Sequence, residues 1–91
     1  MKSPVYEEYK AELVESNHGS DVYYRVFAGT VNRSKSSDSM KRAITVMMQY
    51  GHTPDWRSAV AHKEISFDMP AHILLEDLPA VLSAISRLSE L

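Results

Sequence analysis

The stretch from Asp21 to Asn32, DVYYRVFAGTVN, limits what this chain can fold into. Successive side chains of a strand point to opposite faces. Val22, Tyr24, Val26, Ala28 and Thr30 line one face, and Tyr23, Arg25, Phe27, Gly29 and Val31 line the other. Both faces are largely apolar, so the segment needs cover on both sides and has the pattern of a central strand. The rest of the chain must supply its neighbours and its cover.

Residues 3–16, SPVYEEYKAELVES, fit two descriptions. As a helix, Ser3 caps it, Pro4 starts it, and Val5, Tyr9 and Leu13 share a stripe. As a strand, Tyr9, Ala11 and Leu13 share one face and Lys10 and Glu12 the other. A short polar loop, NHGSD, then leads straight into the central strand, which favours a β-hairpin. The demand of a central strand for partners points the same way.

Residues 32–38, NRSKSSD, are polar and loop-like. Asp38 or Ser37 then caps an expected helix over 38–50, in which Met40, Ala43, Ile44, Met47 and Met48 follow one-face helical spacing. Gly51 and Pro54 end it. Alternation returns at 59–69, where Ala61, Lys63, Ile65, Phe67 and Met69 point one way and His62, Glu64, Ser66 and Asp68 the other. This predicts a half-exposed strand ending at Pro70. A final helix starts near Asp77 and Pro79, with Leu78, Val81, Leu82, Ile85 and Leu88 as its apolar seam. The expected fold is a single α+β domain over 1–91. It has a small, mainly antiparallel sheet (a hairpin plus a later strand) and two amphipathic helices packed on one face, in the order β-β-α-β-α.

A chain of 91 residues, 44% hydrophobic and 24% charged, makes one small globular domain with a modest core, for which homodimerisation is one way to bury more surface. No apolar run is long enough for a membrane span, and the charged N-terminus lacks a signal-peptide core. Without cysteine there is no disulfide framework and no thiolate chemistry. A cytoplasmic setting fits. The net charge of −2 hides an asymmetry. Between Arg25 and Arg42 five basic side chains face one acid, whereas residues 55–91 hold six acids and three bases.

No catalytic motif and no cofactor signature is present. The four histidines, His18, His52, His62 and His72, show no metal-binding spacing. The serine-rich 32–39 segment lacks the glycines of a phosphate loop. Three methionines, 40, 47 and 48, fall on one face of the expected helix, where core packing explains them. Trp56, the single tryptophan, either plugs one end of the core or stands as a binding anchor.

These features point to a small non-enzymatic binding protein that occupies a surface of a partner macromolecule, most readily a protein. Inhibitors, adaptors and accessory factors of phages or mobile elements are of this kind. The expected contact residues are Tyr23, Arg25, Arg33, Lys35, Arg42 and Trp56. The alternative is a nucleic-acid-binding regulator using the aromatic and basic residues around 23–42, with bases stacked beside phosphate-binding charges.

Overall fold

The computed structural model describes residues 5–31, 41–65 and 70–90. Three strands, β1 (Val5–Glu15), β2 (Val22–Val31) and β3 (Lys41–Tyr50), form an antiparallel sheet in the order β1-β2-β3. Helix α1 (Trp56–Ala61) follows, and then a 3-10 turn (Leu75–Asp77) that runs directly into α2 (Leu78–Ser89). The central strand is β2, as its two apolar faces require. Tyr24, Val26, Phe27 and Arg25 are all fully buried. The hairpin at the front of the chain forms as expected.

The β1–β2 register shifts between Val5 and Glu7 and again between Glu8 and Lys10. From Lys10 onward it is regular, pairing Lys10 with Ala28, Glu12 with Val26 and Val14 with Tyr24. The β2–β3 ladder is unbroken from Val22 opposite Tyr50 to Val31 opposite Lys41. Cross-strand partners share a face. Tyr24, Val26 and Ala28 therefore meet Ile44, Val46 and Met48 on one side, and Val81, Ala84 and Leu88 of α2 close that core. Burying a side chain such as Leu88 contributes about 1.5–3 kcal/mol.

The order of elements differs from the expected one. Residues 41–50 are a strand, not part of a helix. The sequence KRAITVMMQY satisfies both periods, because Ala43, Ile44, Met47 and Met48 also fall at helical spacing while Ile44, Val46 and Met48 share one strand face. The run of Ile44, Thr45 and Val46 is β-branched and prefers the pleated sheet. Conversely, the expected strand at 59–69 begins as α1. Asp55 caps that helix, its carboxylate accepting from the Ser58 amide at 3.0 Å. A single antiparallel bridge joins Ile65 to Gln49; Phe67 and Met69 lie outside the described residues. All three strands pair with their sequence neighbours.

The helices also do not share a face. Helix α2 packs on the Tyr24–Val26–Ala28 side. The ring of Trp56, the first residue of α1, lies 5.2 Å from that of Phe27 on the opposite side. The sheet thus sits between them, which gives β2 the two-sided cover its composition demanded. None of the helices among the described residues is long and apolar enough to cross a membrane.

Candidate partner-binding surface

The sheet face under α1 is built around Arg25. Its guanidinium is fully buried, and all five of its N–H groups have acceptors. Nε and Nη2 donate to the two carboxylate oxygens of Glu8 at 2.9 and 2.7 Å. Nη1 donates to Oε1 of Gln49 at 3.1 Å and to the Thr53 carbonyl at 3.3 Å, and Nη2 also reaches the Pro54 carbonyl at 2.7 Å. A buried cation is tolerable only when paired and fully hydrogen-bonded. Here those partners come from β1, β3 and the β3–α1 connection, so the charge fastens three parts of the chain together.

A second anchor holds the same connection. Glu64 accepts from the Thr53 hydroxyl at 2.5 Å, the Thr53 amide at 3.2 Å and Nε2 of Gln49 at 3.2 Å. The Thr53 hydroxyl, above all, holds the Glu64 carboxyl below the ordinary glutamate range. The Tyr50 amide donates to the Glu64 carbonyl at 2.7 Å. Gly51 sits beneath this carboxylate at φ 144°, where a Cβ would run into Glu64.

With the connection fixed, Trp56 lies over the middle of the face. Its ring is 5.5 Å from the Arg25 guanidinium carbon and 5.2 Å from the Phe27 ring. These are a cation–π contact and an aromatic contact. Yet the indole stays half-buried. Leu13 and Met47, the cross-strand partners of Arg25, flank that arginine and are also half-buried, as is Tyr23, the next residue on the same face of β2. The result is an apolar patch centred on an indole that is held from beneath.

The opposite side of the sheet carries a second polar cluster. Asp77, at the N-cap position of α2, does not cap its own helix. Its carboxylate instead accepts from the Tyr24 hydroxyl at 2.6 Å, the Asn17 amide at 3.0 Å and the Asn17 side chain. The Leu74 amide donates to the Tyr24 hydroxyl at 3.0 Å. Ser16 meets Nδ1 of His18 at 2.5 Å in the hairpin turn, and the His18 ring stands edge-on to Tyr24. The cluster pins the β1–β2 turn to the start of α2. Together with Arg25 and Gln49, Ser16 and Asp77 are the buried polar side chains of the described residues, and each is bonded within the fold.

Three of the expected contact residues, Tyr23, Arg25 and Trp56, come together on one face. Arg25 corrects the expectation: it is fully buried and positions Trp56, so it offers no charge to a partner. Arg42 is exposed but pairs with Thr30, which puts it on the α2 side of the sheet, away from Tyr23. There it lines a cavity of about 360 Å³ with Ala28, Ile44 and Leu88. Arg33 and Lys35 lie outside the described residues. The roles of Glu8, Gln49, Glu64 and Asp77 depend on strand register and loop path, which the sequence pattern alone does not carry. For the helix that Trp56 starts, the signal in the sequence is the Asp55–Ser58 cap.

No protein-family model, curated protein or solved structure matches the chain. Its surface must therefore be read from its own chemistry.

Proposed function

We propose that this chain is a small non-enzymatic binding module that occupies a surface of a partner protein, as an inhibitor, adaptor or accessory factor does, with Trp56 as the anchor of contact. One observation carries the reading: Trp56 stays partly open to solvent while Arg25 and Phe27 hold it from beneath. Tryptophan and tyrosine are enriched among the residues that dominate interface energies. An anchor ordered before binding loses little side-chain freedom on docking. Leu13, Met47 and Tyr23 supply the apolar surround, and Glu8 and Glu64 lie beneath or beside it.

The nucleic-acid alternative draws no support from this geometry. Arg25 spends its charge inside the fold, and Arg42 stands on the other side of the sheet. The reading is tested by placing a photoactivatable phenylalanine analogue at Met47 in cells that express the protein. We expect one dominant protein adduct that disappears when Trp56→Ala is added. Adducts to nucleic acid, or a protein adduct indifferent to Trp56→Ala, would reject this surface.

A further inference from the structure

We propose that the outer face of α2 is the interface of an antiparallel homodimer. The helix carries two stripes of the same spacing, two positions apart. Asp77, Val81, Ala84 and Leu88 are buried against the sheet. Leu75, Pro79, Leu82 and Ser86 repeat that spacing on the opposite side, since two residues of a helix turn about 200°. All four are exposed, Leu75 at 86% and Leu82 at 53%. From Leu78 to Ser86 the exposed residues are Pro79, Ala80, Leu82, Ser83 and Ser86, and none is charged. A solvent-facing helix side normally carries lysine and glutamate. This one is uncharged and built mostly from small residues that let a second helix approach closely.

The occupant follows from the pattern of the stripe. It is self-complementary when reversed: a second copy running antiparallel sets Leu82 against Pro79 of its twin and Leu75 against Ser86. The nearest exposed charges complete the match. Glu76 lies at the start of the stripe and Arg87 just past its end, and the step of eleven positions from one to the other is roughly three turns, so both lie on one flank. Antiparallel helices bring equal flanks together. Glu76 of each copy then falls within about two residues, roughly 3 Å along the axis, of Arg87 of the other. Glu12 engages Nε and Nη2 of Arg87, and a second carboxylate would take the Nη1 edge. A parallel pair would instead bring unlike flanks together and leave Glu76 and Arg87 of the two copies on opposite sides of the seam. This interface lies across the sheet from Trp56 and stands on observations independent of the function proposed above.

Light scattering on the purified full chain tests it. The wild type is expected at twice the 10.3 kDa chain mass. Leu82→Glu, at an exposed position, is expected to give a folded monomer. Glu76→Arg and Arg87→Glu should each weaken the dimer by about tenfold or more. Mixing these two variants should restore a dimer containing one of each, because every flank pair is then of opposite sign. The mixing arm separates loss of the interface from loss of the Glu12 bridge. A monomeric wild type, an unchanged mass for Leu82→Glu, or no recovery on mixing would each overturn the proposal.

Discussion

The Tyr24 hydroxyl donates a 2.6 Å hydrogen bond to Asp77, 53 residues away, and so joins the start of the central strand to the N-cap position of α2. That bond is the largest of the influences that hold the Asp77 carboxyl below the ordinary aspartate range; the Asn17 amide acts in the same direction. Burial and the same carboxylate push the Tyr24 hydroxyl up, which keeps it a donor. Tyr24→Phe leaves a buried carboxylate and the Leu74 amide short of a partner, at a cost of about 1–3 kcal/mol near neutral pH. A depressed carboxyl contributes stability above its unfolded pKa and loses it as pH falls. The gap between wild type and Tyr24→Phe should therefore narrow below about pH 4. Urea melts at neutral pH and at about pH 3 check this; an equal gap at both would mean that the bond does not set the carboxyl's titration.

Removing Arg25 should cost far more than removing a surface charge. Arg25→Ala strands Glu8, and a buried pair broken on one side loses about 3–5 kcal/mol. Arg25→Lys should recover little, because an ammonium cannot span Glu8, Gln49 and two carbonyls as a planar fork does. Trp56 provides a second readout: once the guanidinium beneath it is gone, its emission should shift to the red. A lysine variant within about 0.5 kcal/mol of wild type would contradict the clamp.

Gly51 and Glu64 should prove coupled. Gly51→Ala meets two penalties, a backbone at φ 144° and a Cβ directed into the Glu64 carboxylate. We expect a loss of about 1–3 kcal/mol from the backbone alone. In a Glu64→Ala background the steric part vanishes, so the same substitution should cost less. Strict additivity of the two changes, measured by a double-mutant cycle, would exclude the contact.

Lys63 offers a gain. It follows α1 in the left-handed region at φ 59°, and the Glu64 amide closes the helix end on the Ala59 carbonyl at 3.0 Å. Glycine adopts that conformation freely. Lys63→Gly should stabilise the protein by roughly 0.5–1 kcal/mol. A lower denaturation midpoint for this variant would show that the lysine side chain contributes something the backbone does not.

What could be read from the sequence was what a single period decides. The two-faced apolar pattern of β2 has no helical counterpart, and it placed the central strand correctly. The polar NHGSD loop made β1 its partner. Residues 41–50 obey both periods, and only their β-branched centre at Ile44–Val46 separates the two. At 59–61 the alternation Ala-Val-Ala carries no weight against the Asp55 cap. Helix α2 was located but turned. Leu82 was assigned to the seam with Val81, whereas the small Ala84 faces the sheet and Leu82 faces out. Arg25 was read as a surface charge because buried arginine is rare without partners. Those partners sit at positions 8, 49, 53 and 54, which only the finished register brings together.

The sheet has a consequence during synthesis. All of its strands lie between residues 5 and 50 and pair with their chain neighbours, an arrangement of short loops that closes quickly. Both of its covers, Trp56 with α1 and then α2, lie downstream. A chain still tethered to the ribosome can thus complete its ladder while Phe27 and Val26 remain bare on opposite sides. Bare apolar sheet is prone to aggregate. Arg25 puts a charge on the side that α1 later closes, with Leu13 and Met47 across from it, and an inward-pointing charge of this kind works against association of a bare sheet. The same residue that locks the finished fold therefore also guards its unfinished form.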